Sequence, residues 1–309
     1  MANKILITDK VHELLIDELT SDGFEISYHP KMPLKETLNV VSDFDGIIVN
    51  SKTICDQKLI DEGSKLKFIG RLGSGLEIID LEYARSKGIK VIRTPDGNCD
   101  AVAEHALGMI LSLLNHFKQS SRQLKTLNWQ REANRGSEIR GKVVGIIGYG
   151  HTGPAFHNLL KPFGAEVLVY DKYKKPYDDE DMLNEIKKRS DIISIHLPLT
   201  EETINYVDKK FIAEVSKPFY LINTARGKNV VLSDLIDALY SEKVLGACLD
   251  VFQNEKPDTY NMEENVMYMD LNNRENVICT PHVAGWTHES LRRIANSMLL
   301  QIRELNLTI

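Results

Sequence analysis

Gly145-Ile-Ile-Gly148-Tyr-Gly150-His-Thr-Gly153 is the stretch on which the reading of this chain turns. The apolar run Val143 to Ile147 leads into glycines at 148, 150 and 153. A helical pattern follows, and then a second apolar run, Glu166 to Tyr170, ends in Asp171. Strand, glycine turn, helix and strand with a terminal acid form the unit that binds a dinucleotide. The first glycine permits the tight turn, the second lets backbone N–H groups approach a pyrophosphate, and the third allows the helix to pack closely on the strand. The backbone of His151 and Thr152 is expected to meet that pyrophosphate. Asp171 lies 23 residues after Gly148, near the offset of about 20 expected of the carboxylate that holds the ribose hydroxyls. Its charge repels a ribose phosphate and so favours NAD over NADP, while Lys172, Lys174 and Lys175 soften that preference. A methyltransferase using the same turn for another adenosyl ligand is the competing reading.

Outward from this unit the alternation continues. Strands are expected at Asp191 to His196, Phe219 to Asn223, Val244 to Val251 and Val277 to Cys279, which makes six in the rhythm of a doubly wound sheet. On the N-terminal side an independent alternation runs through Lys4 to Thr8, a helical pattern from Val11 to Leu19, and strands at Phe24 to Tyr28, Gly46 to Val49, Phe68 to Leu72 and Lys90 to Arg93. The expected fold class is therefore α/β, with two parallel sheets covered by helices. A long apolar-periodic segment, Ala101 to Phe117, is followed by the polar stretch Lys118 to Arg140, which reads as a boundary between domains. The helical pattern Glu289 to Leu305 comes after the second sheet is complete and is expected to return to the first.

Bulk properties agree with this and exclude other classes. At 309 residues two cores are the default expectation. With 42% hydrophobic and 27% charged residues the composition is globular. No apolar run is long enough to span a bilayer, and Met1 to Leu15 carries Lys4, Asp9, Lys10 and Glu13 where a signal peptide is apolar. A cytoplasmic protein without a membrane partner is expected. Net charge is -6 and no Lys/Arg run builds a phosphate-tracking stripe, so nucleic acid is not an expected partner. Cys55, Cys99, Cys248 and Cys279 lack metal-ligand spacing and read as reduced, packed thiols.

Three further segments fall where the later strands should end: Asn223-Thr-Ala-Arg226-Gly227, Leu249-Asp250-Val-Phe-Gln-Asn-Glu255 and Pro281-His282-Val-Ala-Gly285-Trp286. Ligands of open α/β sheets sit at the carboxyl ends of strands, so all three face one crevice in this reading. Together with Thr94-Pro95-Asp-Gly-Asn98, Ala103-Glu104-His105 and His196-Leu197-Pro198-Leu-Thr200, they resemble the D-isomer-specific 2-hydroxyacid dehydrogenase family, above all its phosphoglycerate dehydrogenase branch. The resemblance covers nearly the whole chain in order. It implies a flavodoxin-like substrate domain, residues 1–100 plus 283–309, interrupted by a Rossmann NAD-binding domain, residues 101–282. It further implies Arg226 as the substrate-anchoring arginine, His282 as acid/base and Glu255 as its partner. Asp250 would face the nicotinamide, with His196, Leu197, Pro198, Thr224, Ala225 and Gly285 bordering the cofactor, and His196 either lining the pocket or only fixing the loop. Gly73, Ser74 and Gly75 would lie at the mouth between the domains. Similar enzymes are dimers joined through the segment that here is Ala101 to Arg140. A C-terminal regulatory domain is not expected, because only about two dozen residues follow His282.

The residue types suit the chemistry. Oxidising a 2-hydroxy acid needs a base that titrates near neutrality, as imidazole does, a carboxylate to orient it and a guanidinium to grip the substrate carboxylate. The expected partner is a small 2-hydroxy or 2-keto acid, which the resemblance implies is D-3-phosphoglycerate, with a glyoxylate or hydroxypyruvate reductase as the alternative. Asn50 stands where phosphoglycerate dehydrogenases often carry Arg, so another cation must hold the phosphate. Arg71 is the first candidate, and Lys52, two residues beyond Asn50 on an extended chain, is the second. A non-catalytic NAD-sensing protein resembling transcriptional co-repressors is the reading from another class. Formate dehydrogenases resemble the family with an amide in place of Glu255.

Overall fold

The computed structural model describes residues 3–307. The chain divides into two compact units, Cys99–Gly285 and the residues on either side of that segment.

The N-terminal part alternates strictly: β1 (Lys4–Ile7), α1 (Glu13–Ser21), β2 (Glu25–Tyr28), α2 (Leu34–Val40), β3 (Gly46–Val49), α3 (Gln57–Glu62), β4 (Phe68–Arg71), α4 (Leu81–Ser86) and β5 (Lys90–Arg93). All five strands are parallel, in the order β2-β1-β3-β4-β5, the flavodoxin-like order. Residues of β1, β3 and β4 are buried on both faces, which is why these strands read as continuous apolar runs rather than alternating ones.

The second unit begins with α5 (Cys99–Leu114) and α6 (Phe117–Lys125), followed by β6 (Val143–Ile147), α7 (Thr152–Leu160), β7 (Glu166–Tyr170), α8 (Glu180–Arg189), β8 (Ile192–Ile195), α9 (Lys209–Glu214), β9 (Phe219–Asn223), α10 (Leu232–Tyr240), β10 (Val244–Leu249), α11 (Met262–Asn273) and β11 (Val277–Cys279). Its six parallel strands run β11-β10-β9-β8-β6-β7. Counted from β6 this is 2-1-3-4-5-6, so a single strand flanks β6 on one side instead of the two of the 3-2-1-4-5-6 order. The chain leaves β6 toward β7 and crosses back to β8, which places the reversal beside the end of β6, where the glycines follow.

The last helix, α12 (His288–Glu304), rejoins the first unit. Thr287 and Ser290 start it with a reciprocal capping box. Ile294, Ala295, Met298, Leu299 and Ile302 bury against Ile5, Ile48 and Phe68, each large aliphatic side chain contributing about 1.5–3 kcal/mol.

One expectation needs correction. The polar stretch 118–140 is not a boundary, since it lies inside Cys99–Gly285 and the chain changes unit at Cys99 and again after Gly285. It also contains all but the first residue of α6, a helix with no buried residue, whose two large apolar side chains, Phe117 and Leu124, lie seven residues apart and are both exposed, too sparse a pattern to read as a buried stripe. Among the described residues no helix is long and apolar enough to cross a membrane.

Candidate active site

The glycine turn is built as its sequence requires, and each glycine answers to a different constraint. Gly148 has φ +94°, and a Cβ there would fall 2.5 Å from the His196 carbonyl oxygen. A Cβ on Gly153 would come within 2.4 Å of the Gly148 oxygen, so this glycine seats α7 against the turn. A Cβ on Gly150 would meet no heavy atom within 4 Å, so its face stands open. Asp171 braces the turn: its carboxylate accepts from Tyr149 N at 2.6 Å and from Tyr173 N at 2.9 Å. Two of its roughly four lone-pair sites are thereby used and two are left for a ligand.

His196 is tied down at both ring nitrogens. Its Nδ1 pairs with Thr152 Oγ1 at 3.0 Å and its Nε2 with Ser194 Oγ at 2.8 Å. Burial alone pushes its pKa down to about 4, so the ring is neutral and ties β8 to the first turn of α7. Thr152 is thus held by its side chain, while the side chain of His151 is exposed. Leu197 is half-buried and packs on the core of this unit. The Pro198 carbonyl accepts from Thr203 Oγ1 at 2.7 Å.

At the ends of β9, β10 and β11 the three segments of interest converge. His282 Nδ1 lies 2.7 Å from Glu255 Oε2, across 27 residues of sequence. A carboxylate only accepts, so Nδ1 carries the hydrogen and Nε2 is left as the end that exchanges protons. The bond with Glu255 raises the His282 pKa above the ordinary imidazole range, against the opposing effects of burial and of the Arg226 charge. Burial pushes Glu255 upward, but the bonds from His282 and Phe252 N and the charge of Arg226 outweigh it, and its carboxyl stays below the usual range. Arg226 therefore lies close enough to act electrostatically on both. Its Nη1 donates to the Ala225 carbonyl at 2.8 Å. The structure thus brings Arg226, Glu255 and His282 together.

The residues that hold this cluster were largely not singled out from sequence. Asn223, buried at the end of β9, receives Ala225 N on Oδ1 at 3.1 Å and donates from Nδ2 to the Arg226 carbonyl at 2.9 Å, the Asx chemistry of a turn-initiating asparagine. Gly227 follows because a Cβ there would sit 1.8 Å from the Phe252 carbonyl oxygen, so the loops of Arg226 and Glu255 touch through backbone. Thr224, expected beside the cofactor, keeps its Oγ1 buried without a hydrogen-bond partner among the described residues.

Asp250 requires a correction. Its side chain does not present itself to a ligand: it is 1% exposed and accepts from Thr280 Oγ1 at 2.5 Å, Val283 N at 2.9 Å and Ala284 N at 2.8 Å. Thr280 also pairs with His105 Nε2 at 2.9 Å. This network anchors the loop in which His282 adopts φ +53°, a backbone state that costs a side-chain-bearing residue about 1–3 kcal/mol and persists only where surroundings impose it. Gly285 closes the loop and the unit.

In the other unit, Gly73 has φ +126° and donates its N–H to Thr94 Oγ1 at 2.7 Å, while Ser74 and Gly75 continue the same turn. Arg71 Nη1 donates to the Leu72 carbonyl at 2.6 Å and folds over Gly73. Lys52 is not where the alternation argument put it. β3 ends at Val49, so residues 50–53 are not extended, and the Lys52 ammonium is drawn to the Pro30 carbonyl at 2.6 Å. A small cavity of about 10 Å³ beside Asn50 is lined instead by Lys10 and His12, with Leu72 and Trp286.

A family profile described as D-isomer specific 2-hydroxyacid dehydrogenase, NAD binding domain, matches residues 107–284. The chain is 34% identical over 270 residues to the hydroxypyruvate reductase of Thermotoga maritima, covering 86% of each chain. It belongs to the D-isomer specific 2-hydroxyacid dehydrogenases. It is also 34% identical over 309 residues to the D-3-phosphoglycerate dehydrogenase of Methanocaldococcus jannaschii, covering 98% of this chain and 57% of that one. The D-lactate dehydrogenase of Aquifex aeolicus, solved with NAD and lactic acid, superposes with a TM-score of 0.83 at 29% identity, covering 98% of this chain and 95% of that one. The chain spans 54–63% of the length of the phosphoglycerate dehydrogenases it matches. The glycine turn and Asp171 fall inside the matched NAD binding domain, and the open face of Gly150 is the space that a pyrophosphate approaching backbone N–H groups needs. The family is one of NAD-dependent dehydrogenases, and the residues present fit that cofactor.

Proposed function

We propose that this dehydrogenase interconverts D-3-phosphoglycerate and 3-phosphohydroxypyruvate, with Arg226, Glu255 and His282 as its catalytic group. The observation that carries the catalytic part is the 2.7 Å bond from His282 to Glu255 beside Arg226, at the strand ends that follow the nucleotide fold. NAD bound at the glycine turn would supply the hydride acceptor for oxidation at the 2-carbon, and NADH the hydride for reduction. His282 Nε2 takes the hydroxyl proton during oxidation and gives a proton to the carbonyl oxygen during reduction. Glu255 fixes the ring and stabilises the imidazolium. Arg226 binds the substrate carboxylate and polarises the adjacent carbonyl. Gly150, His151 and Thr152 would hold the cofactor's pyrophosphate, and Asp171 would accept from the ribose hydroxyls and disfavour a 2′-phosphate. The unit of β1–β5 and α12 serves as the substrate domain, where Arg71 and Lys10 are the cations that meet the phosphate.

Reduction of unphosphorylated hydroxypyruvate is the second reading. Asn50 is neutral, Lys52 and Arg71 both donate to backbone carbonyls, and the match to the hydroxypyruvate reductase covers 86% of both proteins. The exposed apolar side chains Phe117, Leu124, Leu127 and Trp129 support a homodimer formed through this segment, and four free cysteines suit a cytoplasmic setting.

NADH oxidation with a panel of 2-keto acids tests the function. The phosphoglycerate reading expects a higher kcat/KM for 3-phosphohydroxypyruvate than for hydroxypyruvate or glyoxylate, and in Arg71→Ala a KM raised selectively for the phosphorylated acid. A wild type that favours the unphosphorylated acids rejects it. His282→Ala is expected to lower turnover by about 10²- to 10⁴-fold with NADH binding retained, and undiminished turnover would remove His282 from the mechanism.

A further inference from the structure

Cofactor choice in this fold depends on the charges around the ribose, and the residues after Asp171 carry three lysines, Lys172, Lys174 and Lys175. A free cation there would attract a 2′-phosphate and offset the repulsion from Asp171. Two of the three lysines are already committed. Lys174 Nζ donates to the Tyr149 carbonyl at 2.9 Å and sits 5.3 Å from the centre of the Tyr149 ring. Lys172 Nζ lies 2.9 Å from Glu202 Oε2, and the same oxygen accepts the Tyr173 hydroxyl at 2.5 Å.

Glu202 comes from the loop after β8 and Lys172 from the loop after β7, 30 residues apart. In the sheet β6 lies between those strands, and the glycine turn leaves its end. The clasp therefore spans the side of the crevice on which Asp171 stands. Both donors hold the Glu202 carboxyl below the ordinary range, led by the Tyr173 hydroxyl, so the carboxylate is charged at neutral pH and its grip on Lys172 persists.

We propose that Glu202 is a specificity-determining residue for NAD over NADP, acting by sequestering the ammonium of Lys172 from the place a 2′-phosphate would occupy. This rests on the reading that the ribose is held at Asp171. Removing the carboxylate releases Lys172, which gains an attraction available to NADPH alone. Because the pair is about half exposed on both sides, the effect is that of a surface charge pair, about two- to five-fold.

The test measures dissociation constants of NADH and NADPH by fluorescence titration for the wild type, Glu202→Gln, Lys172→Met, the double variant and Asp171→Ala, with thermal unfolding as a check on folding. Glu202→Gln is expected to narrow the NADH preference by about two- to five-fold, and the gain is expected to vanish when Lys172→Met is added and to shrink at high salt. An unchanged ratio in Glu202→Gln, or a gain that survives in the double variant, overturns the proposal. Asp171→Ala separates the two layers of inference. If it leaves the ratio unchanged, the ribose lies elsewhere and both fall. If it shifts the ratio while Glu202→Gln does not, the role of Glu202 alone fails.

Discussion

Gly150→Ala separates cofactor binding from folding more cleanly than any change at a charged residue of this site. At Gly148 and Gly153 an added methyl would press on backbone carbonyl oxygens at 2.5 and 2.4 Å, and Gly148 also has a left-handed φ, so alanine there is expected to disturb the turn itself. At Gly150 nothing lies within 4 Å of the new methyl and φ is outside the left-handed region. The folded protein should accept it, with a gain of about 0.4–1 kcal/mol from the loss of unfolded-state freedom. On the proposed function, the methyl fills the face that a pyrophosphate would approach. Losing one charge-assisted bond from backbone N–H to phosphate costs about 1.5–3 kcal/mol, which corresponds to roughly a ten- to hundredfold weaker dissociation constant for NADH. Fluorescence titration with NADH and a thermal unfolding curve, run on the same preparation, measure both quantities. A folded Gly150→Ala variant that binds NADH as the wild type does would show that the cofactor passes elsewhere. A variant that unfolds would show that the open face is not open.

Two further perturbations probe the site and its support. Glu255→Gln removes the bond that raises the His282 pKa. Reduction requires the imidazolium and is lost as pH rises through that raised value, so in the variant the loss of kcat/KM for the keto acid should move to lower pH. A profile that stays in place or moves upward rejects the pairing. Lys118→Met withdraws an ammonium that donates to the carbonyls of Asn272, Arg274 and Val277 at 2.7, 2.6 and 3.0 Å, which would leave the end of α11 and the start of β11 uncapped. A loss of about 1–3 kcal/mol in stability is expected, read as a lower thermal midpoint, and an unchanged midpoint would mean that water replaces the ammonium at no cost.

Much of this molecule was legible in the order of its residues. The two alternations, the glycine unit with its terminal Asp171 and the apolar strands depend on contacts within a few residues or on burial of a whole strand, and both leave a period or a composition in the sequence. The Arg226, Glu255 and His282 segments were placed by the expectation that ligands gather at strand ends. What sequence did not carry was distance and direction. Asp250 reads as a ligand-facing acid until the fold closes Thr280, Val283 and Ala284 around it. Lys52 reads as a neighbour of Asn50 until the strand ends at Val49 and its ammonium finds Pro30. The helix Phe117–Lys125 carries only Phe117 and Leu124 as large apolar residues, both exposed, too few to mark it by burial. The left-handed backbone of His282 and the grip of Glu202 on Lys172 depend on residues about thirty positions away. Such pairings follow from which strands lie side by side, and only the closed tertiary structure decides that.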